Sequence, residues 1–259
     1  MQIAVSDIGF HQQLARLLRV PPADPGFWLA LSAFLHQVAP FDTWVAMLFR
    51  TNSEPLVLDD QAVNRGDSGL FAAYREGLYV LDPFYQFCLQ PLEPGIYRLD
   101  EVAPSCFRET EYFKRYFSLN VVADEVQYLV PAGEGRVVSL SLGASQTYDG
   151  TAVGALHLFA PWVLELMRQA TRGLAQAVQS PSGRQAGLAT RLRGRAAKLT
   201  ERELEVATLI LAGHSTKGLA RALEISPDTA KAHRRNLYAK LGIGSQAELF
   251  LLLYGEDAA

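Results

Sequence analysis

Between residues 180 and 198 the chain changes character. Ser180-Pro181-Ser182-Gly183-Arg184-Gln185-Ala186-Gly187 offers small, helix-breaking residues with little to place in a core, and Arg191-Leu192-Arg193-Gly194-Arg195-Ala196-Ala197-Lys198 adds spaced positive charges. A segment that buries so little apolar surface cannot offset the entropy of ordering its backbone, so it reads as a linker. It cuts the 259 residues into a front part, 1–180, a connection, 181–197, and a back part, 198–259. The front and back parts each have the length of an ordinary domain.

Charge follows the same cut. Residues 1–183 hold 12 Lys and Arg against 19 Asp and Glu, a net of −7, whereas residues 184–259 hold 12 against 8, a net of +4. Over 184–240 the basic excess rises to +7, from 12 against 5. The formal charge of −3 for the whole chain excludes a uniformly basic nucleic-acid binder but conceals this asymmetry. An acidic domain joined to a basic one is the distribution expected when only one of them touches nucleic acid.

At 49% hydrophobic and 20% charged, the composition supports ordered cores. The two cysteines, Cys88 and Cys106, cannot form a disulfide framework and have no zinc-ligand spacing, which suits a reducing cytoplasm and no metal. Asp7 precedes any long apolar run and no basic region leads one, so no secretory signal is expected. The most apolar stretch, residues 155–167, contains His157, Pro161 and Glu165 and is shorter than the roughly 20 residues of a membrane span. These features predict a soluble cytoplasmic protein without a membrane partner.

In the front part, residues 12–20 and 27–38 repeat apolar side chains at three- and four-residue spacing (Leu14, Leu17, Leu18; Leu31, Phe34, Leu35, Val38), predicting two amphipathic helices. Residues 44–49 and 55–58 are short β-like runs. Residues 70–81 and 106–117 look helical, with 92–99 irregular or extended between them. Residues 121–130 and 136–142 flank Gly133-Glu134-Gly135, a hairpin signal. A last helix over 150–178 presents Leu158, Trp162, Leu166, Leu174 and Val178, with Pro161 expected to kink it. The class predicted is α+β, an α/β/α sandwich around an antiparallel sheet.

The back part is written in helix caps. Thr200-Glu201-Arg202-Glu203 is a capping box opening a helix with Leu204, Ala207 and Leu211 on one face, which Gly213 stops. Ser215 caps a second helix bearing Leu219 and Leu223, and Ser226-Pro227 opens a third that runs to about Leu241. Ser245 and Glu248 form another capping box before an apolar fourth helix. This predicts an all-α four-helix domain with a helix-turn-helix. At roughly 100° per residue, Ala230, His233, Leu237 and Leu241 share the core face of the third helix. Opposite lie Asp228, Ala232, Arg235 and Ala239, flanked by Lys231. Small residues beside cations let a helix enter the major groove closely. Arg234, nearer the core side, is expected to contact the backbone.

Leu199-Thr200-Glu201-Arg202-Glu203-Leu204-Glu205-Val206, Ala212-Gly213-His214-Ser215-Thr216-Lys217, Ile225-Ser226-Pro227-Asp228-Thr229-Ala230-Lys231-Ala232-His233 and Lys240-Leu241-Gly242-Ile243 resemble the DNA-binding domain of the LuxR/FixJ family. The likeness covers some 55 residues. It departs from the family at Ala230, usually valine, and at Gly218, usually glutamate. It implies that Lys231, Ala232 and Arg235 meet double-stranded DNA, with Thr229, Arg234 and Lys217 as further contacts. It also implies that the fourth helix supports a homodimer, that the dimer reads an inverted-repeat operator, and that RNA polymerase is a partner.

A receiver domain needs an acidic pair after its first strand, a phosphoacceptor aspartate and a lysine; Asp59-Asp60 follows Leu56-Val57-Leu58, but that is not the first strand and no matching Asp and Lys follow. Tyr74-Arg75-Glu76-Gly77-Leu78-Tyr79-Val80-Leu81-Asp82-Pro83 is similar to the pocket stretch of autoinducer-binding domains in LuxR-type quorum-sensing regulators. That similarity implies a small-molecule effector held by Asp82 and Tyr74, with Tyr97, Tyr85, Phe71 and Trp44 as aromatic walls. A tryptophan that binds a lactone carbonyl in that family is replaced by Gly69-Leu70-Phe71, so a ligand other than an acyl-homoserine lactone is expected. No phosphate-binding glycine loop, nucleophile elbow or His-Glu-x-x-His is present, and neither enzyme activity nor a cofactor is expected. Two alternatives stand beside the sensor reading: a ligand-independent regulator whose front domain serves dimerisation or protein contacts, and an enzyme with a fused DNA-binding domain.

Overall fold

A computed structural model describes residues 7–51, 53–61, 74, 77–120, 123–133, 135–177 and 199–254. The linker 181–197, Phe71, Val178 and most of the helix expected over 70–81 lie outside the described residues, as does the side chain of Leu174.

Five strands form one antiparallel sheet: β1 (Thr43–Arg50), β2 (Ser53–Asp60), β3 (Gly95–Arg98), β4 (Asp124–Pro131) and β5 (Arg136–Ala144), in the order β2-β1-β5-β4-β3. β4 and β5 form the expected hairpin, turned by Gly133 (φ 74°) and Gly135 (φ 68°). Those left-handed angles suit glycine. β4 and β5 alternate strictly. Val126, Tyr128 and Val130, with Val138, Leu140 and Leu142, face the helical core built on α1 (Ile8–Leu17), α2 (Phe27–Val38) and α5 (Gly150–Ala177). The Tyr128 hydroxyl donates to the Leu156 carbonyl at 2.8 Å, tying sheet to helix.

Helix α5 continues past Pro161 and turns its apolar surface differently from expectation. Leu156, Phe159, Ala160, Val163, Met167 and Ala170 are buried, while Leu158 and Trp162 are 67% and 53% exposed. The helix is apolar most of the way round, so several stripes fit its period and sheet packing selects one. Over Gly150–Arg172 it is long and apolar enough to cross a membrane by length and composition, which corrects the shorter span inferred above. In this fold it covers one face of the sheet.

The other sheet face is covered by short turns rather than long helices. After the 3₁₀ turn Leu78–Leu81 come α3 (Pro83–Phe87), α4 (Leu99–Val102), the 3₁₀ turn Phe107–Glu109 and the π turn Phe113–Phe117. A continuous helix over 106–117 does not form. Thr110 interrupts it, its hydroxyl donating to the Phe107 carbonyl at 2.7 Å and accepting from the Phe113 amide at 3.0 Å. Such local bonds compete with helix continuation.

The four expected C-terminal helices are α6 (Glu201–Leu211), α7 (Thr216–Ala222), α8 (Pro227–Leu241) and α9 (Gln246–Tyr254). Thr200, Ser215 and Ser226 cap the amides of Glu203, Gly218 and Thr229, and Gly242 ends α8 at φ 68°. Glu203 Oε2 accepts from the Thr200 amide and from Lys240 Nζ, both at 2.7 Å, and so clamps the start of α6 to the end of α8.

The two parts share a core. Leu204, Leu211 and Leu219 belong to one buried cluster with Phe84, Phe107 and Tyr112. At the turn after α6, the Cys106 amide donates to the Gly213 carbonyl at 3.1 Å. Gly213 has φ 95°, and a Cβ there would lie 2.8 Å from Phe107 Cα. Gly213→Ala is therefore expected to cost more than the roughly 1–2 kcal/mol of a left-handed non-glycine residue, read as a lowered denaturation midpoint of the full chain.

Candidate functional site

A cavity of about 60 Å³ lies between the turn-rich layer and the sheet. Asp82 enters it as the N-cap of α3, accepting from the Phe84 amide at 2.8 Å through Oδ1 and from the Tyr74 hydroxyl at 2.6 Å through Oδ2. Asp-Pro at a helix start is a local device, because proline suits the first helical position and the carboxylate satisfies a free amide. Burial raises the Asp82 carboxyl while the Tyr74 hydroxyl and the capped amides oppose the shift. Burial, reinforced by Asp82, also drives Tyr74 well above its ordinary value, so it remains a protonated donor.

Tyr74 stacks on Tyr116 at 5.8 Å between ring centroids, and Tyr116 on Tyr112 at 5.5 Å. All three rings line the cavity. From the sheet come Val45 and Met47 of β1, Glu125 of β4 and Ser141 of β5. Glu125 Oε1 accepts from Gln127 Nε2 at 2.7 Å and from the Ser141 hydroxyl, and Ser139 donates to Gln127 Oε1 at 2.5 Å. Burial, with Asp82 and Asp124 adding negative field, pushes Glu125 up to about 8 against the bonds from Ser141 and Gln127.

Of the residues expected around a ligand, Asp82 and Tyr74 meet in the cavity. Trp44 borders it at the start of β1 but belongs to the helical core on the opposite sheet face. Tyr85 and Tyr97 do not line it. The Tyr85 hydroxyl donates to the Arg50 carbonyl at 3.3 Å, and that of Tyr97 to the Glu93 carbonyl at 2.8 Å. Tyr85 lies on α3 and Tyr97 on strand β3, and each hydroxyl is directed to a backbone carbonyl outside the cavity. Glu125, Tyr112 and Tyr116 were missed. The period-2 run Glu125-Gln127-Leu129 carried the signal for Glu125, since alternate strand residues share a face.

On α8, Ala230 and Leu237 are buried and His233 and Leu241 half-buried, the core face expected. Thr229, Lys231 and Arg235 are exposed, as is Asn236, which sequence reasoning did not single out, and Ala232 is half-buried between them. Lys231 Nζ lies 3.5 Å from Asp228, a solvent-exposed pair of little energetic weight. The Arg234 guanidinium sits 5.4 Å from the Tyr238 ring centroid. Lys217 is exposed near the start of α7.

Residues 197–253 match the family described as GerE, bacterial regulatory proteins, luxR family. Across 181 residues the chain is 33% identical to the putative HTH-type transcriptional regulator in exeN 3'region of Aeromonas salmonicida, covering 66% of this chain and 92% of that protein. The chain belongs to the luxR family. This LuxR-family chain is also 34% identical over 125 residues to the transcriptional regulatory protein MctR of Rhizobium johnstonii, covering 45% of the chain and 56% of that protein. The LBD domain of VqsR from Pseudomonas aeruginosa superposes with a TM-score of 0.60 at 35% identity, over 64% of this chain and 98% of that domain. The protein is a DNA-binding transcriptional regulator whose front domain resembles the LBD domain of VqsR.

The raised Glu125 carboxyl has a consequence for stability. Its folded pKa lies above the ordinary 4.5, so the folded state binds the extra proton and loses stability as pH rises from 4.5 toward 8, by at most about 1.4 kcal/mol per pH unit. Glu125→Gln removes this dependence. The unfolding free energy of the variant, relative to the parent, is expected to improve steadily between pH 5 and pH 8 in denaturant titrations.

Proposed function

We propose that a small molecule occupying the Asp82 cavity controls how residues 198–259 engage double-stranded DNA, in a cytoplasmic homodimer that reads an inverted repeat and contacts RNA polymerase. The observation that supports this reading is the single core shared by the cavity wall and the DNA-binding domain. Asp82 caps α3, and Pro83, Gln86 and Phe87 of α3 face Leu209, Ala212 and His214 across a second cavity of about 260 Å³. On the other side, Tyr112 and Phe117 line the Asp82 cavity and pack on Phe107, which abuts Gly213. A ligand that alters either wall acts on the seat of α6. It shifts the equilibrium only by the difference in its affinity for the two arrangements.

The exposed Leu158 and Trp162 of α5, one helical turn apart, supply an apolar stripe suited to a second copy. For DNA the reading assigns Thr229, Ala232 and Arg235 to the groove, with Lys231, Arg234 and Lys217 on the backbone. Arg235 makes no ion pair among the described residues, leaving its guanidinium available for a guanine edge. Arg235→Ala is expected to cost about 1–3 kcal/mol on the operator and relax discrimination at one base position. Lys231→Ala weakens all duplexes evenly and reduces the salt slope by about 1. Fluorescence anisotropy across a salt series separates the two, and equal, sequence-independent losses from both variants would contradict base readout by Arg235.

A further inference from the structure

The cavity has an electrostatic imbalance. Asp82 and Glu125 both border it, they are 7% and 4% exposed, and no Lys, Arg or His among the described residues lines the space. Asp82 is compensated by a tyrosine hydroxyl and the start of α3. Glu125 is compensated on one oxygen alone. Both the Gln127 amide and the Ser141 hydroxyl bond Oε1, and Oε2 has no hydrogen-bond partner among the described residues. With its carboxyl pushed up to about 8, Glu125 is largely protonated in the empty cavity at neutral pH, and a neighbouring cation favours its ionisation.

The remaining walls favour the same sign of guest. The stacked rings of Tyr74, Tyr116 and Tyr112 line the cavity, and tyrosine π systems attract cations, most strongly where water is excluded. Size narrows the class further. At about 60 Å³, the space is far below the roughly 300–1,000 Å³ of a drug-sized site. A long acyl chain does not fit without displacement of the walls.

We propose that this cavity takes a compact ligand bearing a protonated amine, held between Asp82 and the free oxygen of Glu125 and against the tyrosine stack. The proposal rests on the reading of the cavity as a small-molecule site and names the ligand class for it. On binding, the ammonium favours loss of the Glu125 proton to solvent, donates to Oε2 of the resulting carboxylate and gives that oxygen the partner the protein does not supply. It also supplies the positive charge that no described lining residue provides.

Calorimetric titration of the full chain at neutral pH tests this with methylamine and ethylamine, each against its neutral counterpart, methanol and ethanol, and with hexanoyl-homoserine lactone alongside. The amines are expected to bind at least about tenfold more tightly than the alcohols, the size of one hydrogen bond to a charged group. That preference falls to about unity in Glu125→Gln. Asp82→Asn keeps the helix cap, because asparagine also accepts from the Phe84 amide, and it too reduces the preference, so the test survives a misfolded Glu125 variant. Equal or tighter binding of the alcohols or the lactone overturns the amine proposal and leaves small-molecule control standing. So does an amine preference that both variants retain, which places the amine elsewhere. Binding by none of the probes overturns the proposal and weighs against the sensor reading itself.

Discussion

The alternation along the β4–β5 hairpin sets the terms for the rest of the molecule. In these two strands Val126, Tyr128, Val130, Val138, Leu140 and Leu142 pack on helices, while the other side carries Glu125, Gln127, Ser139 and Ser141. A slip of one residue would place a carboxylate in the helical core and valines against the cavity. The Gly133 and Gly135 turn holds the register, and the Tyr128 hydroxyl, bonded to α5, anchors it from behind. The polar side of the hairpin is satisfied within the hairpin itself, Gln127 and Ser141 donating to Glu125 and Ser139 to Gln127.

The legibility of the fold followed the range of the interactions that make it. Caps are local, and the whole C-terminal domain could be read from Thr200, Ser215, Ser226 and Gly242, because each satisfies amides or adopts angles within a few residues of itself. The hairpin and the first two helices were legible for the same reason. The layer over the cavity was not. Its segments fold as 3₁₀ and π turns because Phe107, Tyr112 and Phe117 must reach across the chain, and periodicity carries no record of such partners. Asp82 and Tyr74 were singled out through resemblance, and the two side chains share a hydrogen bond. Glu125 was hidden because a glutamate in a strand reads as solvent-facing until strand order places a second strand on each side.

Asp82 illustrates how one carboxylate serves two scales. As a cap it orients a five-residue helix, and as a cavity wall it receives a tyrosine hydroxyl. The same burial that suits it to recognise a donor makes an ionised Glu125 unfavourable across the cavity. The front domain thus stores its electrostatic tension in the region where its packing meets the DNA-binding domain.

The close fit of Gly213 against Phe107 also bears on how such proteins diversify. Regulators of this kind combine a sensing half with a reading half, and free recombination would favour a smooth, tolerant seam. Here a backbone hydrogen bond from Cys106 and an approach that leaves no room for a methyl group make the seam specific. A foreign reading domain grafted onto this front half would need a glycine at that turn and an edge shaped to Phe107, so the two halves are constrained to change together.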